Sequence, residues 1–285
     1  MRVGTMNVPI LDDHVHLEPV RGRNIDAVKD FAAHGGTHLI VSHLPYEEIP
    51  VRSVDDFRRS FEVTIATVDR VNAETEVKAF ATVGPYPVEL LELEKIHGLA
   101  KAKEIMIDAM DISADLVRNG DALAIGEVGR PHFEVPSDVL EASNEILLYG
   151  MRLAREVGCA IVLHTESATP EGMKGLADMA DRAGLDRGRV VKHYCGPLVR
   201  QDENFGLMPS VLASRDNVEA ALSKGLRFMM ETDFLDDPKR PGAVLAITTV
   251  PKRTQQLIEK RQLRLDDAYQ IHYDNARMTY GPRFV

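Results

Sequence analysis

Six side chains of the kinds that bind divalent cations stand where apolar runs of this chain stop. The first run ends Asp12-Asp13-His14-Val15-His16. Glu127 follows Ala-Leu-Ala-Ile-Gly, His164 follows Ala-Ile-Val-Leu, His193 follows Val-Val-Lys, and Asp233 closes Phe-Met-Met-Glu-Thr-Asp. On an extended strand alternate side chains share a face, so His14 and His16 point the same way, about 6–7 Å apart. Two imidazoles so placed can converge on one metal ion. Burying four histidines and two carboxylates together is costly without a cation, because each loses its hydration. A metal centre is the arrangement those residues imply. Asp12, two residues before His14 and on the same face, is expected to orient a ligand from behind or to bind weakly.

These residues converge only if their strands run parallel and end on one side. Strand-like runs cover residues 8–16, 38–43, 77–83, 122–127, 160–164, 190–193, 210–213 and 227–233. Helix-like stretches cover 25–33, 55–71, 89–99, 139–156, 171–183 and 217–223, and a helical tail of two helices fills 251–280. Gly120, Gly158 and Gly225 follow helical patterns, as C-caps should. Eight strands separated by helices predict parallel βαβ units closed into a (β/α)8 TIM-type barrel with a C-terminal helical extension. An open doubly wound sheet is the rival architecture. No linker or composition break appears, so residues 1–285 are expected to form a single domain. All strand C-termini of such a barrel open on one face, where active sites are built.

The order His-x-His, Glu, His, His, Asp resembles the amidohydrolase superfamily, in particular its TatD-like metal-dependent hydrolases. The resemblance runs from Asp12 to Asn275 and Tyr280-Gly281. It implies that His14 and His16 bind one metal, that His164 and His193 bind a second, and that Glu127 bridges them. Asp233 would bind the first metal and handle a proton as the catalytic residue. Two divalent cations per chain are implied, zinc foremost, with Mn, Fe, Co, Ni or Mg as substitutes. The loops depart from the family pattern. Gly-Glu-Val-Gly continues into Arg130-Pro131-His132, Thr165-Glu166-Ser167 replaces an arginine-containing segment, and Tyr194-Cys195-Gly196-Pro197 replaces Cys-Phe-Ser-Gly. A divergent branch with its own substrate follows from those changes.

Arg130 and His132, on the loop after Glu127, are the candidate substrate contacts, Arg130 as a clamp for phosphate or carboxylate. Lys239-Arg240 and Lys252-Arg253 flank the segment after the last strand and could attract phosphate. Glu166 reads as a solvated loop carboxylate, while His34, His38, His43, His97 and His272 read as structural. Met208, Met229 and Met230 read as barrel packing. The 285 residues carry 34 basic and 44 acidic side chains, a net charge of −10, with 6% aromatics and no Trp. That balance disfavours long nucleic acid and any base-stacking platform. No run of 18 apolar residues spans a membrane, the N-terminal stretch to His14 lacks a signal-like apolar segment, and Cys159 and Cys195 make no disulfide framework. A cytoplasmic protein is expected. Its leading function is hydrolysis of a phosphoester, deoxyribonuclease-like activity included. The alternatives are a small amide, lactone or other carboxylic ester, and a non-catalytic metal-binding scaffold.

Overall fold

The computed structural model describes residues 8–285; the first seven residues of the N-terminal stretch lie outside the described residues. The strands are β1 (Leu11–His16), β2 (His38–Ser42), β3 (Lys78–Val83), β4 (Ala124–Gly129), β5 (Ile161–His164), β6 (Val190–Cys195), β7 (Met208–Leu212), β8 (Met229–Glu231) and β9 (Phe234–Leu235). All pair in parallel, in the order β8-β7-β6-β5-β4-β3-β2-β1-β9. The ends of that order are one chain segment, since β9 follows β8 after only Thr232 and Asp233. Val15 pairs with Phe234 and His16 with Leu235, so the sheet closes on itself as a TIM-type barrel.

The helices are α1 (Ile25–Ala33), α2 (Val54–Glu74), α3 (Glu89–His97), α4 (Leu99–Asn119), α5 (Ser137–Val157), α6 (Pro170–Ala183), α7 (Gln201–Asn204), α8 (Arg215–Leu222), α9 (Thr249–Glu259), α10 (Leu265–Tyr269) and α11 (Asn275–Tyr280). Their apolar faces, with Phe31, Phe57, Phe61, Leu93 and Leu147 fully buried, pack on the outside of the sheet. Inside the barrel Leu11, Ile40, Val162, Val191 and Met208 form a second core, joined by Tyr280 and Phe284 of the C-terminal tail.

Several expectations are corrected. The 21-residue helix α4, marked in the sequence only by its C-cap Gly120 and given no range there, follows α3 after Gly98 alone. Its apolar positions, such as Ile105, Met106, Ala109, Met110 and Ile112, recur at helical spacing, but charged residues dilute the pattern. Gly120 and Gly158 do cap α4 and α5 in the left-handed region, whereas α8 ends on Ser223 and Gly225 lies beyond it. The first strand begins at Leu11 rather than at residue 8, and the seventh begins at Met208. The eighth breaks into β8 and β9 because Asp233, with φ of 52°, turns the backbone. The tail holds α9, α10 and α11, the last two joined by a π-helical turn over Gln270–Asp274.

Ladder register slips at three places: between Asp12 and Val15, between Ile125 and Val128, and between Lys192 and Cys195. Each slip brackets a predicted ligand, namely His14, Glu127 or His193. Such irregularities re-aim side chains that a regular pleat would point elsewhere. Gly126 is required at the second, because a Cβ there would lie 2.6 Å from Val162 Cβ.

Asp12 ties the break in the last strand to β1. Its carboxylate accepts the Thr232 backbone N–H at 2.9 Å, the Thr232 hydroxyl at 2.6 Å and the His14 N–H at 3.3 Å. It therefore braces the backbone of His14 and of Thr232, the residue before Asp233. Burial pushes its carboxyl up to about 8, against the pull of those bonds. Asp12→Ala strands the buried Thr232 donors, and we expect a loss of about 2–3 kcal/mol in urea unfolding.

Candidate metal centre

The six predicted ligands meet at the C-terminal mouth of the barrel. His14 Nε2 and His16 Nε2 stand 3.3 Å apart, and each is 3.5 Å from Glu127 Oε2. Asp233 Oδ1 lies 3.5 Å from His16 Nε2 and 4.0 Å from His14 Nε2. The other oxygen, Glu127 Oε1, faces His164 Nδ1 at 2.5 Å and His193 Nε2 at 3.5 Å. Two groups capable of holding a metal ion result, His14–His16–Asp233 and Glu127–His164–His193. Glu127 stands between them with one oxygen toward each.

The surroundings orient the imidazoles. His16 Nδ1 donates to the Ser42 carbonyl at 3.0 Å, which fixes the ring with Nε2 toward the other predicted ligands. His14 Nδ1 lies 3.2 Å from Ser42 Oγ, which in turn accepts the Thr82 hydroxyl at 3.0 Å. His14 and His193 stack with ring centroids 3.9 Å apart. Burial alone would raise the Glu127 carboxyl, but His164, His193 and His14 outweigh it and hold the group well below the usual carboxylate range. Burial likewise opposes protonation of His16, yet Asp233 and Glu127 carry its pKa up to about 9. Glu127 is 2% exposed, whereas Asp233 is 17% exposed and lines a cavity of about 330 Å³. The other lining residues include His132, His164, Glu166, Lys192, His193 and Tyr194.

His132 reaches this cavity, with Nδ1 2.9 Å from His164 Nε2. Arg130 does not offer a free clamp. Its guanidinium donates to both oxygens of Glu166, at 3.0 and 2.6 Å, and to Asn144 Oδ1 at 3.2 Å. Glu166, read from the sequence as merely solvated, is thus the anchor of Arg130. In the basic loop, Lys239 pairs with Glu47 and Arg240 with Asp237. Lys252 and Arg253 sit on α9.

Three residues at the mouth escape the sequence reading. Glu231 is fully buried, lies 3.2 Å from His193 Nδ1 and accepts the Tyr194 N–H at 2.7 Å; with His14 and His193 it forms a third possible metal-holding group. Its signal was present, a carboxylate inside an apolar strand two residues before Asp233. Tyr86, whose hydroxyl is 3.4 Å from His164 Nε2, sits in a loop with no motif. Tyr194 holds a left-handed backbone, φ 50°, that a bulky residue adopts at a cost of about 1–3 kcal/mol.

Below Tyr86, Glu89 opens α3 with one oxygen unpartnered and buried, and burial raises its carboxyl to about 8. Between the unfolded value near 4.5 and about 8 the folded state holds the extra proton, so stability falls as pH rises, by up to about 1.4 kcal/mol per unit. Glu89→Gln should flatten that fall: urea midpoints of variant and wild type then diverge between pH 5 and 8, with the variant the more stable at pH 8.

Over residues 11–281 the sequence matches the family described as TatD related DNase. An uncharacterized protein of Methanocaldococcus jannaschii is 43% identical over 276 residues, 96% of each chain. The solved TatD-like protein of Archaeoglobus fulgidus superposes with a TM-score of 0.65 at 15% identity, covering 95% of this chain and 99% of its own. The phosphotriesterase homology protein of Escherichia coli, complexed with phosphate in its active site, gives 0.61 at 14% identity, with 96% and 99% covered. At such identities these two structures speak to the fold alone. The barrel, the polar mouth and the matches together define a metal-dependent hydrolase. Among the described residues no helix is long and apolar enough to cross a membrane. The chain belongs to the TatD related DNase family.

Proposed function

We propose that this protein hydrolyses a small phosphoester with two divalent cations, zinc foremost. His14, His16 and Asp233 would hold one cation, His164 and His193 would hold the other, and Glu127 would serve both. The observation that carries this reading is the pair of Glu127 oxygens, each turned to a different pair of histidines. An unpaired group supports it. Glu127 Oε2, turned to His14 and His16, is buried without a hydrogen-bond partner, an arrangement that a cation relieves. Spacing supports it too: ligands 2.0–2.1 Å from a tetrahedral ion are about 3.4 Å from one another, close to the 3.3–3.5 Å edges among His14, His16 and Glu127.

Bound cations would supply Lewis acidity and an easily deprotonated water. Asp233, the more accessible carboxylate, takes the proton of the attacking water and returns it to the leaving oxygen. Glu127, shielded and already committed to histidines on both sides, stays anionic. A cavity of about 330 Å³ in a chain of charge −10 favours a small phosphoester or a nucleotide end over a long duplex.

The test is elemental analysis of protein purified without chelator or nickel, followed by turnover of bis-p-nitrophenyl phosphate, a lactone and an amide. About two equivalents of transition metal with phosphoester turnover supports the reading. Less than about half an equivalent, with no gain on reconstitution, sinks the two-metal site. Turnover of lactone or amide without phosphoester replaces the substrate class.

A further inference from the structure

Lys192 is the one lysine among the largest fully buried side chains, 1% exposed on β6 beside His193. Its Nζ donates to the His193 carbonyl at 2.5 Å. An ammonium carries three donors, so two remain. Among the described residues no carboxylate lies within 4.0 Å of that nitrogen. The nearby Glu166 spends both oxygens on Arg130. A buried cation without a counter-charge costs several kcal/mol unless something else meets it. Lys192 also lines the 330 Å³ cavity, together with His164, His193 and Asp233. Of the residues around that cavity it is the sole lysine or arginine, because Arg130 is turned away into its own ion pair. The exposed ring of Tyr194 stands over the same space, on a backbone held in its costly conformation by Glu231.

We propose that Lys192 is a specificity-determining residue whose unused ammonium donors bind an anionic oxygen group of the substrate in the cavity beside His164 and His193. This assignment rests on the phosphoester reading of the site, and it names what that reading leaves open, namely how an acidic protein holds an anion. A charge-assisted hydrogen bond from an ammonium to phosphoryl or carboxylate oxygen is short, strong and indifferent to the rest of the ligand. The cavity thereby selects small substrates carrying negative charge and gives neutral esters no partner for the lysine. The sequence alone does not single out Lys192, because a charged residue preceding His193 in a strand reads as an interruption of the apolar run.

The experiment is calorimetric titration of inorganic phosphate, and separately of malonate, into metal-loaded wild type, Lys192→Met, Lys192→Gln and Lys192→Arg. Metal content and melting temperature are matched first. We expect phosphate affinity to fall about 10- to 30-fold in the Met and Gln variants and to stay within about 3-fold in Lys192→Arg. A parallel fall for malonate marks the subsite as general for anionic oxygen, and a fall for phosphate alone marks it as phosphoryl-specific; both uphold the proposal. Phosphate affinity within 2-fold of wild type in the Met and Gln variants overturns it. So does loss of metal or fold in both neutral variants while Lys192→Arg is intact but binds no phosphate, since the lysine is then structural. Because binding is read without turnover, a wild type inert toward phosphoesters would overturn the reaction class separately from the anion site.

Discussion

Glu127→Ala is expected to cut kcat/KM by at least about 10³-fold and to leave the protein with less than one bound cation. The variant removes one oxygen from each ligand group at once, since Oε2 serves the His14 and His16 side and Oε1 the His164 and His193 side. Metal ions contribute several kcal/mol of charge stabilisation in the transition state, and each 1.36 kcal/mol is a factor of ten. Glu127→Gln separates charge from shape. It keeps the side chain's volume but lowers the negative charge among four imidazoles, so intermediate metal content is expected. Elemental analysis and steady-state kinetics on the same samples check both. Full occupancy with less than a tenfold loss in Glu127→Ala would remove the bridging role.

Asp233→Asn should separate binding from proton transfer. The amide oxygen can still face His16, so metal content stays near wild type, while the group can no longer take a proton. General acid–base groups contribute about 10²–10⁴-fold, and a fall of that size in kcat, with KM changed little, is expected. The backbone argues for asparagine over alanine as the probe, because φ of 52° suits Asp and Asn better than other side chains. If Asp233→Asn retained more than a tenth of wild-type kcat at full metal content, the proton would have to travel elsewhere.

The barrel and the locus of the mouth were legible because they rest on short-range rules. Apolar runs that stop at His164, His193 or Glu127 are visible residue by residue, and parallel topology then brings their ends together. The convergence of His14 and His16 followed from strand alternation. Alternation did not reveal the register slips at His14, Glu127 and His193, since a bulge depends on the partner strand. Pairing was the other blind spot. Nothing near Arg130 in sequence announces Glu166, 36 positions later, as the acceptor that occupies it. Asp12 was assigned to the ligands by its spacing from His14, whereas its shortest bond reaches Thr232, 220 residues away. The helix α4 was marked only at its end, by Gly120, for a local reason: charges scattered along its exposed face blur where it begins.

The barrel has a seam, and Asp233 is in it. Closure runs through two residue pairs between β1 and β9, while the adjoining stretch at Thr232 is held to β1 by the Asp12 side chain instead of a backbone ladder. Amide protons there should exchange before those of β2 and β3, whose pairing is continuous over five positions. A barrel that breathes at this joint carries Asp233 away from His16 while the rest of the ring stays shut. Heating would then extinguish catalysis by parting the seam, at temperatures where circular dichroism still reports an intact fold.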